Sequence, residues 1–237
     1  DKVFVLNDIV ARMLTKHYQV KPEHIIPVIN GVNVDVYNDE AADKLAVNSL
    51  RKKYGLTGKR VAFQVGSVCD RKNQLGTLKL LLPMMRCQHD IAFIYAGGVI
   101  DTEYAADIQR LAEQEGVKDR VLYMGEVVPG KQLNEIYALS DVAFMNSKSE
   151  AFALVIAEAL AARKPIFICD TIMRSLFFWG EKEGEGIIRI KDSFEADFER
   201  LFTDKAYYKE MQERGRNFIV NEYSWDVAAK IYIDNFK

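Results

Sequence analysis

The sequence predicts an α/β protein built on a doubly wound parallel sheet, and three observations carry that prediction. Short apolar runs recur along the chain, VAFQV, IAFIYAG, VLYMG, VAFMN and IFIC, rich in the β-branched and aromatic residues that suit strands. Segments of helical length separate them, and strand alternating with helix is the pattern of right-handed βαβ units. Hydrophobic residues make up 49% of the 237 positions, enough to bury a substantial core.

Taken in order, the chain enters a strand almost at once, VFVL from Val3, and then a helix from Asp8 to about His17, with Asp8 placed to cap it. A short strand, IIPVI from Ile25, runs into Asn30-Gly31-Val32, a turn of residues that tolerate positive φ. A helix with a basic end, residues 46–54, precedes Gly55 and Gly58. The main sheet is expected from Val61, with helices after Asn73, over 105–115 and over 132–139 between its strands. Beyond Pro165 the strand IFIC leads into a stretch, SLFFWG and GEKEGEG, that reads as an insertion or diverged loop. Phe177, Phe178 and Trp179 within it suit a core better than a partner surface or a ligand platform. A helix over 209–221, the step Tyr223-Ser224-Trp225 with Ser224 as a helix cap, and a last helix close the chain.

Composition excludes several classes. A net charge of −2 offers no global attraction to nucleic acid or to an anionic membrane. There is no apolar run of bilayer length. Cys69, Cys87 and Cys169 are scattered and odd in number, which suits a reducing, cytoplasmic compartment better than a disulfide framework. His17, His24 and His89 show no ligand spacing, and no Asp-x-Asp pair occurs, so the expected metal set is none.

In open parallel sheets ligands sit at the carboxyl ends of the strands, so the loops there hold the candidate site. The first is Gly66-Ser67-Val68-Cys69-Asp70-Arg71-Lys72-Asn73, whose Arg71 and Lys72 could face an anion or merely solvent. The next strands end in Gly97-Gly98 and in Gly125-Glu126-Val127. The latter loop, GEVVPGKQ, falls short of a phosphate-binding G-x-x-x-x-G-K-[ST], because Gln132 stands where the hydroxyl must be. Residues 147–165, SKSEAFALVIAEALAARKP, then set Glu150 and Glu158 at either end of seven uncharged residues. If the segment opens a helix, eight residues rise roughly 12 Å. Carboxylates so far apart cannot share a proton or one metal ion. They could hold both ends of an elongated polyhydroxylated ligand, with helix amides between them favouring an anion. A nucleotide sugar has that chemistry; a plain amphipathic helix with two incidental glutamates has the same pattern.

This segment resembles the glutamate-seven-glutamate signature of the family 4 retaining glycosyltransferases, which have the two-domain GT-B fold. Ser147, Glu150, Phe152, Leu154, Glu158 and Pro165 match it, and elsewhere Asn-Gly-Val at 30–32 and the Tyr-Ser-Trp step resemble the family's close of the N-terminal domain and its closing helix. Four positions depart: Ala151, Ala153 and Arg163 replace glycines, and Ser67 replaces an arginine of the diphosphate clamp. The resemblance implies that residues 1–45 are the last elements of an N-terminal domain, that 46–220 form a Rossmann-like nucleotide-sugar domain, and that 221–237 form a closing helix. It implies transfer of a sugar from a nucleotide-diphosphate donor, without cofactor or metal, to a carbohydrate or lipid-linked acceptor held by a domain mostly outside this chain, which could also lend peripheral membrane contact. Glu150 then serves the transferred sugar and Lys72 the diphosphate, as the catalytic pair. Glu158 serves the ribose hydroxyls, while Gly66, Ser67, Arg71, Gly97, Val127, Ala153 and Leu154 line the donor site. The four departures suit equally a degenerate transferase-like domain with a structural or regulatory role. An epimerase or phosphorylase on the same architecture shares the pocket.

Overall fold

The computed structural model describes residues 2–236, apart from the side chains of Phe177 and Phe178, so the reading of those two rings lies outside the described residues. The chain runs β1 (Val3–Val5), α1 (Asp8–Tyr18), β2 (Ile25–Pro27), α2 (Lys44–Lys53), β3 (Arg60–Val65), α3 (Gln74–Cys87), β4 (Ile91–Ala96), α4 (Thr102–Gln114), β5 (Val121–Tyr123), α5 (Lys131–Leu139) and β6 (Val142–Met145). It continues through α6 (Leu154–Ala161), β7 (Ile166–Ile168), α7 (Asp170–Ser175), α8 (Phe177–Gly180), β8 (Ile187–Arg189), α9 (Phe194–Thr203), α10 (Lys205–Glu222) and α11 (Trp225–Asn235).

Six strands form one parallel sheet in the order β5-β4-β3-β6-β7-β8. Counted from β3, this is the doubly wound order 3-2-1-4-5-6, the fold class expected from the sequence. Each central strand is apolar on both faces, because helices cover both. Val61 and Phe63 of β3 join the layer under α5, α6 and α10, while Ala62 joins the opposite layer with residues of α3, α4 and α9. No helix among the described residues is long and apolar enough to cross a membrane.

The first residues make a separate parallel pair, β1 with β2, joined through α1. The chain passes from this pair to the main sheet beside the point where it comes back. The Val32 amide donates to the Tyr223 carbonyl (2.8 Å), and Val32 bridges Ser224. A Cβ on Gly31 would lie 2.7 Å from Trp225, so only glycine allows the two passages to run so close. After this return α11 packs on the β1 unit, with Phe4 against the rings of Tyr232 (5.1 Å) and Phe236 (5.4 Å).

Three expectations are corrected. Asn7, not Asp8, caps α1, its carboxamide oxygen accepting from the Val10 amide. The stretch after IFIC is not an open loop: it folds into α7 and α8 and delivers β8 as a sixth strand. Trp179 in it is fully buried and stacks on Tyr223 at 4.9 Å. The helix expected around Glu150 begins only at Leu154. The carbonyls before it are taken by distant side chains, Ala151 by Asn7 (3.0 Å) and Phe152 by the Trp179 indole (2.8 Å), rather than by amides one turn on. Glu150 therefore stands in the loop and Glu158 inside the helix, so the 12 Å helical rise between them does not apply.

Candidate functional site

β3 and β6 are neighbours whose chains leave in opposite directions, β3 toward β4 and β6 toward β7, which opens a crevice at their carboxyl ends. The loops over 66–73 and 146–153 face each other across it and are stitched together. The Lys148 amide donates to the Arg71 carbonyl (2.8 Å), and the Lys148 ammonium sits 2.6 Å from Asp70. The Arg71 guanidinium donates to the Ser149 carbonyl at 3.0 Å and to Glu150 at 3.2 Å. Lys72 Nζ is 2.6 Å from Glu150 Oε1, in a contact where the two side chains are only 12% and 11% exposed.

The backbone around this pair is fixed from below. Gln64, buried on β3, donates through its amide to the Lys72 carbonyl (2.6 Å) and accepts from the Thr77 hydroxyl (2.6 Å). Gln74 donates to the carbonyl of Ser67 at 2.9 Å. Gly66, at φ 144°, lets the lysine stem lie across it: a Cβ there would meet Lys72 Cε at 3.1 Å. At Gly97 a Cβ would come within 2.3 Å of the Gly66 carbonyl oxygen, so the two strand-end turns can touch only because residue 97 lacks a side chain.

Beside the pair lies the start of α6. Its cap residue Ala153 is left-handed (φ 61°, ψ 57°) and supplies no side-chain hydrogen bond, and Leu154 is partly exposed. An uncapped helix N-terminus, here four residues after the carboxylate that Lys72 holds, offers amides and positive potential to an anion. One turn on, Glu158 is almost buried. Burial pushes its carboxyl up from the ordinary range, and hydrogen bonds from the Tyr37 and Tyr137 hydroxyls hold it partly back. Burial followed by the charge of Glu158 drives the Tyr137 phenol well above its usual value. Tyr37 also accepts from the Gly130 amide at 3.1 Å.

The residues singled out from the sequence fall into groups. Lys72, Arg71 and Glu150 meet; Gly66, Ser67 and Gly97 form the adjoining turns; Ala153 and Leu154 form the helix start. Glu158 is held in its own tyrosine pocket, and Val127 packs partly buried on the sheet layer beneath the loop after β5. In that loop Gln132 Oε1 accepts from the Val128 amide (3.0 Å), so the residue that fails the phosphate-loop pattern ties its own turn. Arg71 reaches the carboxylate and carbonyl of the opposite loop. Reading along the sequence missed Gln64, Asn7 and Tyr137. A glutamine inside an apolar strand was the one available signal, for Gln64.

A six-stranded parallel sheet in doubly wound order, with helices on both faces and loops meeting at its strand ends, defines a Rossmann-like α/β domain. The profile described as Glycosyl transferases group 1 matches residues 47–218, more than half of the chain, and the chain belongs to that family. An uncharacterized glycosyltransferase of Methanocaldococcus jannaschii is 24% identical over 218 residues, covering 91% of this chain and 55% of its own length. The crystal structure of HepE from Anabaena with UDP and glucose superposes with a TM-score of 0.80 at 15% identity, over 98% of this chain and 62% of that one. A glycosyltransferase from Rickettsia africae superposes with a TM-score of 0.82 at 17% identity, over all of this chain and 63% of that one. The chain thus spans about half the length of the curated relative, and its fold is the one seen in GT-B glycosyltransferases.

Proposed function

We propose that the chain is the donor-binding part of a retaining glycosyltransferase that moves a sugar from a nucleotide-diphosphate donor to an acceptor hydroxyl. The observation that carries this reading is the meeting of Lys72 and Glu150 beside the uncapped start of α6, at the crevice between β3 and β6. The donor diphosphate lies against Lys72 and the amides of Leu154 and Val155, which neutralise it in place of a carboxylate-held metal. Charge growing on the departing phosphate is stabilised by the same groups, so that a sugar with oxocarbenium character is attacked from the face the phosphate leaves. Glu150 serves the transferred sugar and Glu158 the ribose, while the turns at Gly66, Ser67, Gly97 and Val127 border the donor. HepE with UDP and glucose is a fold neighbour with a ligand of this class.

The carbohydrate or lipid-linked acceptor belongs to the half of the protein for which residues 1–45 are the last elements. Residues 46–220 are the donor half and 221–237 the closing helix. The three cysteines, none in a disulfide, suit a reducing compartment. Calorimetry of the chain with UDP, GDP and ADP and with their sugars tests the reading: saturable binding of one series, lost in Lys72→Ala, is expected. Absence of saturable binding for all three assigns the domain instead to a structural or regulatory role.

A further inference from the structure

Asn7 lies between β1 and α1, 144 residues ahead of Ala151, yet its side chain ends on the loop that carries Glu150. Its carboxamide is used at both ends. Oδ1 accepts from the Val10 amide at 2.9 Å and so caps α1, while Nδ2 donates to the Ala151 carbonyl at 3.0 Å. A helix cap needs only an acceptor, which aspartate or serine supplies as well. A carbonyl needs a donor, and of the good caps asparagine carries both on one planar group.

The loop that Asn7 grips is held by groups from elsewhere in the chain. Arg71 takes the Lys148 amide on its carbonyl and the Ser149 carbonyl on its guanidinium, and the Trp179 indole takes the Phe152 carbonyl (2.8 Å). Lys72 and Arg71 also hold the Glu150 carboxylate itself, at 2.6 and 3.2 Å. Those two cations are the groups that an anionic ligand draws away, so what holds the loop independently of them is Trp179, two residues beyond Glu150, and Asn7, one residue beyond it. Next to Asn7 a cavity of about 140 Å³, walled by Leu6, Ile29, Phe152 and Tyr223, lies between the β1–β2 unit and the loop. Apolar packing does not fill that space, which leaves the spacing of the two to the hydrogen bond.

We propose that Asn7 is a positioning residue for the sugar end of the donor: by tying the Ala151 carbonyl to the β1–α1 unit it fixes the backbone beside Glu150. The carboxylate then stays in place for the sugar hydroxyls when the phosphates of the ligand take Lys72 from it. This rests on the donor-site reading given above, which gives Glu150 to the transferred sugar.

The test uses the 237-residue chain and calorimetry with whichever of UDP, GDP or ADP the wild type binds, and with the matching nucleotide sugar. The reading is the ratio of the two affinities, which isolates the sugar end because both ligands carry the same diphosphate. Asn7→Ser keeps the cap and is too short to reach residue 151. It should leave the melting temperature and the diphosphate affinity unchanged while the ratio falls about fivefold, the worth of one hydrogen bond. Asn7→Asp, which also keeps the cap but sets an oxygen against the carbonyl, should show the same fall. In a Glu150→Ala background Asn7→Ser should add nothing. Weakening of both ligands by the same factor makes Asn7 merely structural and overturns the inference, as does an unchanged ratio in both Asn7 variants or a loss that persists without Glu150. A ratio that does not fall in Glu150→Ala, or a wild-type chain that binds none of the nucleotides, overturns instead the donor-site reading and this inference with it.

Discussion

Lys72 Nζ lies 2.6 Å from Glu150 Oε1, joining the loop after β3 to the loop after β6, so the two charges at the centre of the crevice neutralise each other. The pair is nearly closed to solvent, which strengthens the attraction and makes either partner costly to leave alone. Arg71, held to the same carboxylate at 3.2 Å, is the second cation of the group. A ligand that brings an anion to Lys72 and hydroxyls to Glu150 replaces the contact instead of adding to it.

The two partners should therefore respond oppositely. Lys72→Ala is expected to weaken nucleoside diphosphate binding by about 10- to 100-fold, the worth of a charge-assisted hydrogen bond. Glu150→Gln removes the competitor for the ammonium, so diphosphate binding should hold or tighten while sugar transfer by the complete protein is lost. Calorimetry and a transfer assay read the two effects separately. A Glu150→Gln protein that transfers at the normal rate would sink the role given to this carboxylate.

Glu158 predicts a pH dependence of stability. Its folded pKa is raised by burial, so between the unfolded value of about 4.3 and the raised folded value the native state holds the extra proton. Stability contributed by this group is then lost as pH rises through that window. Glu158→Gln should raise the melting temperature relative to wild type at pH 7 to 8, with the difference shrinking toward pH 4. A difference that is flat across this range contradicts the sign.

Ala153 sits at φ 61°, where a Cβ is strained. Relief of a left-handed alanine outweighs the added chain entropy of glycine by a small margin, so Ala153→Gly should stabilise by about 0.5 kcal/mol. Ala153→Val, with a branched Cβ in the same conformation, should cost at least about 1 kcal/mol. Urea midpoints at constant slope measure both.

Arg163 is also left-handed, at φ 54°, but its guanidinium is anchored. It pairs with Asp39 at 2.8 Å, Glu40 at 3.4 Å and Glu213 at 3.5 Å, tying the β2–α2 segment to the turn after α6 and to α10. Replacement by alanine keeps the strain and loses the ties, for a cost of about 2 kcal/mol. Arg163→Gly loses the same ties but relaxes the backbone, so it should be about 1 kcal/mol less damaging. Equal unfolding midpoints for the two variants would show that the backbone at 163 carries no strain.

The strands β3, β4, β6 and β7 were legible because each is a dense apolar run between turn residues, and their order of appearance already implied a parallel sheet. β8 was not, because Ile187–Arg189 is three residues long and follows a charged, glycine-rich stretch; it is a strand only because β7 offers an open edge. The start of α6 was hidden for a different reason. Which carbonyls remain free for helix bonding depends on Asn7 and Trp179, which reach residues 151 and 152 from other parts of the chain. Lys72 and Glu150 could be placed at strand ends from the sequence, and the sheet order then set them face to face. The tyrosine pocket of Glu158 is assembled from two other elements, and no local pattern records it.

The paired passages at Val32 and Ser224 bear on how this chain can be shortened. The first thirty or so residues and α11 are ends in the sequence but a single packed body, with Phe4 seated against Tyr232 and Phe236. Trimming the tail at 221 would strip the cover from β1, and trimming the head would leave the aromatic side of α11 facing water. A shortened version of the sheet domain therefore has to shed both ends together or keep both.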